Sequence, residues 1–89
     1  MPGSWRFSSD HFAAAVKRWC SEELPTEQQV DAIYDWAMSV VVAGPPDSGV
    51  LVAGTEDRFV DLVGGADAFV SFLAVAQDQT IFVLSIVSA

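Results

Sequence analysis

The sequence predicts an α+β fold, in which a short N-terminal strand precedes an antiparallel helical hairpin packed on a three- to four-stranded antiparallel meander sheet. Three observations predict it. Apolar residues recur at helical spacing up to Gly44-Pro45-Pro46, and in extended runs after it. Only Leu24, Pro25 and Thr26 separate the two helical stretches, so the second must turn back along the first. The extended runs after residue 49 are joined by connections too short for parallel crossovers, so successive strands run antiparallel.

Taken in order, Trp5-Arg6-Phe7 reads as a brief strand, and Ser8-Ser9-Asp10 as the start of a helix. Phe12, Val16, Trp19, Cys20 and Leu24 then form one apolar face of that helix, which Pro25 stops. Thr26-Glu27-Gln28-Gln29 is a capping box: the threonine hydroxyl takes the Gln29 amide, and the Gln29 side chain reaches back. The helix it starts carries Val30, Ile33, Tyr34, Ala37, Met38 and Val41 on one stripe, and ends at Gly44 and two prolines. Strands are expected over residues 50–53, 58–63, 68–76 and 80–87, separated by Gly54-Thr55-Glu56, Gly64-Gly65 and Gln77-Asp78-Gln79.

In the last two strands both faces are apolar. Ala68, Val70, Phe72, Ala74 and Ala76 alternate with Phe69, Ser71, Leu73 and Val75, and Phe82, Leu84 and Ile86 with Ile81, Val83 and Val87. Two helices cover one side of a sheet, and a solvated second side would alternate with polar residues. Phe69, Leu73, Val75, Ile81 and Val83 are therefore expected to meet a partner, either a second copy in a dimer or another protein.

Composition narrows the function classes. The 89 residues suffice for one domain, residues 1–89, with one core. Twelve Asp and Glu against four Lys and Arg, net charge −8, argue against direct binding of nucleic acid or an anionic membrane, both of which need cations. The single cysteine, Cys20, permits no internal disulfide, and the first residues lack the apolar stretch of a signal peptide, so a cytoplasmic location is expected. Residues 68–89 are apolar, but Gln77-Asp78-Gln79 in their middle suits a turn better than a bilayer.

No catalytic, metal or cofactor constellation stands out. His11 is the only histidine, beside Asp10 at a helix start, with no nucleophile identifiable near it. Cys20 lies near Glu22 and Glu23, which oppose thiolate formation, so it reads as a small core residue. Glu27, Asp31 and Asp35 line one helix face, read as solvated, and lack the loop that calcium sites use. One of Asp47, Glu56, Asp57 and Asp61 is expected to pair with Arg58. Gly64-Gly65 lacks the Lys-Ser/Thr of a phosphate loop and reads as a turn.

The order strand, helical hairpin, meander, with Asp57-Arg58-Phe59-Val60-Asp61-Leu62-Val63, Gly64-Gly65, Phe69-Val70-Ser71-Phe72 and Thr80-Ile81-Phe82-Val83-Leu84-Ser85-Ile86, resembles the RelE/ParE superfamily of toxin–antitoxin toxins. The resemblance spans nearly the whole chain in order and cadence. At residue level it is carried by the stretches around Arg58 and Thr80. RelE-like ribonucleases carry several Lys and Arg on the sheet and a C-terminal His or Tyr. Here Arg58 is the only cation after Arg18, Val70-Ser71 occupies the usual basic position, and the sequence ends Ile86-Val87-Ser88-Ala89. The resemblance thus implies a degenerate acidic member, non-enzymatic, with Arg58 a vestige of the substrate site. Two alternatives stay open: an active toxin of that superfamily inhibiting translation or gyrase, and a small acidic inhibitor or immunity-type protein.

Overall fold

A computed structural model describes residues 5–89 and shows an α+β architecture. The elements are β1 (Arg6–Phe7), α1 (Ser9–Glu23), α2 (Glu27–Ala43), β2 (Val50–Leu51), β3 (Arg58–Val63), a short 3-10 turn (Gly64–Ala66), β4 (Ala68–Val75) and β5 (Thr80–Ser88). One five-stranded sheet has the order β1-β5-β4-β3-β2.

Helix α1 buries Phe12, Ala15, Val16 and Trp19, while Cys20 packs half-buried beside them. Leu24, expected on that face, is 82% exposed. The reason is local: the residue before a proline is pushed out of the helical region, and Leu24 takes a left-handed conformation with φ 50° as the helix cap. Its side chain is thereby turned away from the helix's apolar stripe.

The capping box of α2 forms as the sequence predicts. The Gln29 amide donates to Thr26 Oγ1 at 3.2 Å, and the Thr26 amide donates to Gln29 Oε1 at 2.8 Å. The same glutamine side chain donates from Nε2 to the Ala66 carbonyl at 2.9 Å, pinning the helix start to the turn after β3. Thr26→Ala is expected to cost about 1 kcal/mol. A thermal melt should show a midpoint lower by about 4–8 °C for that loss in a domain of this size; an unchanged midpoint would mean that the cap contributes nothing.

Helix α2 buries Ile33, Trp36, Ala37 and Val40, so its inward stripe is rotated from the expected one. Tyr34, Met38 and Val41 are exposed. Two apolar stripes overlap on this helix, and the sequence alone does not rank them. Trp36 decides the matter, because its indole N–H finds a buried acceptor on β3. Tyr34 lies beside helix α1, its ring edge-on to Phe12 with centroids 5.3 Å apart.

The antiparallel sense of the hairpin follows from where the ends are tied. Near its start α1 sets His11 against Phe82, and at its end Glu23 accepts from the Ser88 amide, so α1 runs along β5. Helix α2 returns from Ala66 at its start to Trp5 at its end, where the indole lies over Gly44. A Cβ at Gly44 would sit 3.0 Å from the indole Cδ1, and the backbone there has φ 85°, so glycine meets both demands.

Strands β2 to β5 form the expected antiparallel meander. Strand β2 stops at Leu51, not residue 53: the Thr55 hydroxyl and amide both donate to the Val52 carbonyl and turn the chain there. The fifth strand is β1, which joins the sheet parallel to β5 through the pairs Arg6 with Thr80 and Phe7 with Ile81. The whole hairpin and meander lie between these two strands, so no short connection dictates their direction.

The core lies between the helices and the inner face of the sheet. Trp19, Ile33, Val40, Val70, Phe72, Ile81 and Val83 are its largest fully buried side chains. Here the structure corrects the expected alternation of β5. Ser71 pairs with Ser85 but Phe72 pairs with Val83, so Leu84 is an extra residue in a β-bulge. Ile81 and Val83 point inward before the bulge, and Ile86 points inward after it.

Candidate functional site

The outer face of the sheet is met by a helix only at its β5 side, where His11 of α1 lies against Phe82, and its rows can be read from the strand register, because residues directly opposite share a face. Leu62, Phe69 and Val87 form one row, with exposures of 54%, 41% and 51%. Val50, Val60, Ser71 and Ser85 form the next, then Arg58, Leu73 and Phe82, then Val75 and Thr80. The bulge adds Leu84, which is 40% exposed. A shallow depression at the β2–β3 side of this face is lined by Ser48, Val50, Val60, Asp61, Leu62 and Phe69.

Of the five residues expected to meet a partner, the structure brings together three. Phe69, Leu73 and Val75 lie on the outer face in sequence along β4. Ile81 and Val83 lie on the opposite face, 0% and 1% exposed in the core, and cannot meet a partner in the folded chain. The bulge at Leu84 inverts the alternation, so the outward apolar residues of β5 are Phe82, Leu84 and Val87 instead. Leu62 and Val60 on β3 were not expected at all. Their signal was present, since they alternate with Asp61, but local sequence does not show that a carboxylate on that strand is the buried residue.

Asp61 is in fact the inward one, 3% exposed. Its Oδ2 accepts from Trp36 Nε1 at 2.8 Å and its Oδ1 from the Ser48 hydroxyl at 2.7 Å. A buried carboxylate needs such partners, and these two anchor α2 and the loop after it to β3. The expected ion pair of Arg58 is therefore not formed with Asp61, nor with Asp47, Glu56 or Asp57. Among the described residues the one ion pair joins Arg18 to Glu22 at 3.3 Å on the exposed surface of α1. Arg58 instead donates from Nε to the Ser71 hydroxyl at 3.4 Å, lying over that serine on the outer face. The second cation of this face is Arg6, opposite Thr80 at its β1 edge.

Carboxylate residues stand at both ends of the strands. Glu56 and Asp57 precede β3, and Asp78 lies in the β4–β5 turn at the same end of the sheet. Asp67, at the other end, sits between the 3-10 turn and β4.

The remaining candidates stay local. The Ser8 hydroxyl and His11 Nδ1 are 2.6 Å apart, a contact between residues three apart at an exposed helix start. Among the described residues no carboxylate bonds the imidazole to orient it; its ring meets Phe82 edge-on at 5.1 Å. Glu27, Asp31 and Asp35 are exposed along α2. A second groove, between α1 and β5, is lined by Ala15, Arg18, Glu22, Glu23, Ser85, Ile86 and Val87. Glu23 reaches across it to the Ser88 amide at 3.2 Å, which occupies a donor on the otherwise open strand edge.

No protein-family model matches the chain, and neither the curated proteins nor the solved structures contain a significant match. The RelE/ParE likeness accordingly rests on sequence order and cadence. Among the described residues no helix is long and apolar enough to cross a membrane, and no three His, Cys, Asp or Glu side chains gather as metal ligands would.

Proposed function

We propose that this protein is a non-enzymatic protein-interaction module, a degenerate acidic relative of RelE/ParE toxins, that binds another polypeptide through the outer face of β3, β4 and β5. The observation that carries the reading is the exposed row Leu62, Phe69 and Val87, continued by Leu73, Val75 and Phe82 around Arg58. Isolated exposed apolar residues are ordinary, but a contiguous set on one sheet face is not. Aromatic residues and Arg are enriched at interface centres, and Phe69, Phe82 and Arg58 stand among these rows.

The test is a triple variant, Leu62→Thr, Phe69→Thr and Val87→Thr, compared with the native chain by binding of an environment-sensitive apolar dye and by thermal melting. Threonine is β-branched and favours strands, so the fold is expected to survive with each change costing under about 0.5 kcal/mol. The native chain is expected to bind the dye and the variant to lose that binding. A native chain that binds no dye, together with a variant that melts many degrees lower, would show that the face is sealed within the fold and would overturn the reading.

A further inference from the structure

We propose that the solvent face of α2 is a second docking surface, and that its occupant is a helix of another polypeptide, apolar in its N-terminal half, bearing Lys or Arg in its C-terminal half, and antiparallel to α2. This surface is independent of the sheet face: α2 buries Ile33, Trp36, Ala37 and Val40 toward the core and turns the opposite stripe to water. At about 100° per residue, that exposed stripe is divided along its length. Glu27, Asp31 and Asp35 hold its first half. Tyr34, Met38, Val41 and Val42 hold its second, with Met38 62% and Val42 81% exposed. Tyr34, Met38 and Val42 stand four apart, as do the three acids, and rows of that spacing are the ridges that pack into the grooves of another helix.

The charge requirement comes from α2 itself, which has no Lys or Arg among its 17 residues. Glu27 is favoured in the first turn by the helix dipole, but Asp31 and Asp35 lie beyond it, and the repulsion along the acidic row is not answered within the helix. Lys17 and Arg18 are exposed on α1, yet the one ion pair among the described residues joins Arg18 to Glu22 and leaves the row out. Cations of a partner answer that repulsion, and the partner's own dipole fixes where they sit. Lys and Arg stabilise the last turn of a helix, so its C-terminal half meets the start of α2 and the two run antiparallel. A second copy fits neither way round. Antiparallel, it would seal each acidic half against the other's Tyr34, Met38 and Val42, burying carboxylates without cations; parallel, it would set acid against acid.

The experiment uses the full chain, nitrogen-labelled for amide NMR, and synthetic peptides of about 16 residues, which match the roughly 22 Å from Glu27 to Val42. Each is stapled into a helix on its far side. One carries leucines and then lysines along its free stripe, one has the same composition in reverse order, and one has glutamate in place of lysine. The first is expected to shift the amides of Asp31, Tyr34, Asp35, Met38 and Val42, to bind at least about tenfold tighter than either of the others, and to weaken as salt rises. Asp31→Lys combined with Asp35→Lys should abolish that preference while the chain stays folded, both sites being exposed. Equal binding of the three peptides, or no shifts with any of them, would overturn the proposal. Shifts centred on Leu62, Phe69 and Leu73 would overturn this surface while supporting the sheet face. An unstapled copy of the first peptide that binds tighter than the stapled one would mean that α2 takes an extended chain, and would overturn the helix. A dimer seen by light scattering that dissociates in Met38→Asp would assign the stripe to a second copy and overturn it as well.

Discussion

Replacing Val83 by aspartate is expected to unfold the protein, while the same replacement at Phe69 leaves it folded. The two residues looked alike in sequence, both apolar and both on strands of doubly apolar character. Val83 is 1% exposed and faces the helices, so an aspartate there would be a charge with no buried partner. Such a charge costs about 3–5 kcal/mol, and the lost burial of the valine adds about 1.5–3 kcal/mol. A chain of 89 residues has a total stability of about 4–13 kcal/mol, so most or all of it is removed. At Phe69, already 41% exposed, the carboxylate reaches water and the change is within about 1 kcal/mol. Circular dichroism melts of the two variants decide it. A folded Val83→Asp beside an unfolded Phe69→Asp would invert the assignment of the two sheet faces.

Phe72→Ala has the next largest expected effect. Phe72 is 0% exposed and bridges the two layers: its ring lies stacked on Phe59 with centroids 5.7 Å apart, and tilted against Trp36 of α2 at 5.6 Å. Truncation leaves a cavity at the centre of the sheet and removes both aromatic contacts, at a cost of about 3–5 kcal/mol. The melting midpoint should fall by at least about 12 °C, and the near-ultraviolet dichroism of Trp36 should weaken at temperatures where the chain is still folded. Phe72→Leu, which keeps most of the volume, should cost less than about 1.5 kcal/mol. Equal effects of the two substitutions would mean that the cavity is not what destabilises.

The bearing of the two layers on function is that stability and binding use different sides of one sheet. Residues that hold the fold, such as Phe72, Ile81 and Val83, point to the helices. Those proposed to bind, such as Leu62, Phe69 and Leu73, point away and contribute little to stability. Surface changes on the outer face can therefore be read as effects on binding.

Much of this was legible from local patterns. The capping box at Thr26, the stop at Pro25, the strand Arg58–Val63 and the acidic stripe of α2 each depend on neighbours a few residues away, and each forms as the sequence predicts. The partner face was legible along β4, where Phe69, Leu73 and Val75 keep strict alternation. It was not legible along β5, because a bulge is a property of two strands in register rather than of one sequence. Arg58 was expected to pair with a nearby carboxylate, yet the nearest in sequence on its own strand, Asp61, faces the other way.

The sequence by itself determined the class of fold, the hairpin and meander order, the acidity and the existence of a doubly apolar sheet, because period, turn chemistry and charge are read within a few residues. The tertiary structure alone decided which side of that sheet is open. That choice rests on pairings across the chain: Trp36 with Asp61, which sets the roll of α2, Leu84 as the bulged residue, which reverses the faces of β5, and β1 joining β5 in parallel across the whole intervening chain. Each is a contact between distant segments, whose geometry the local sequence does not specify.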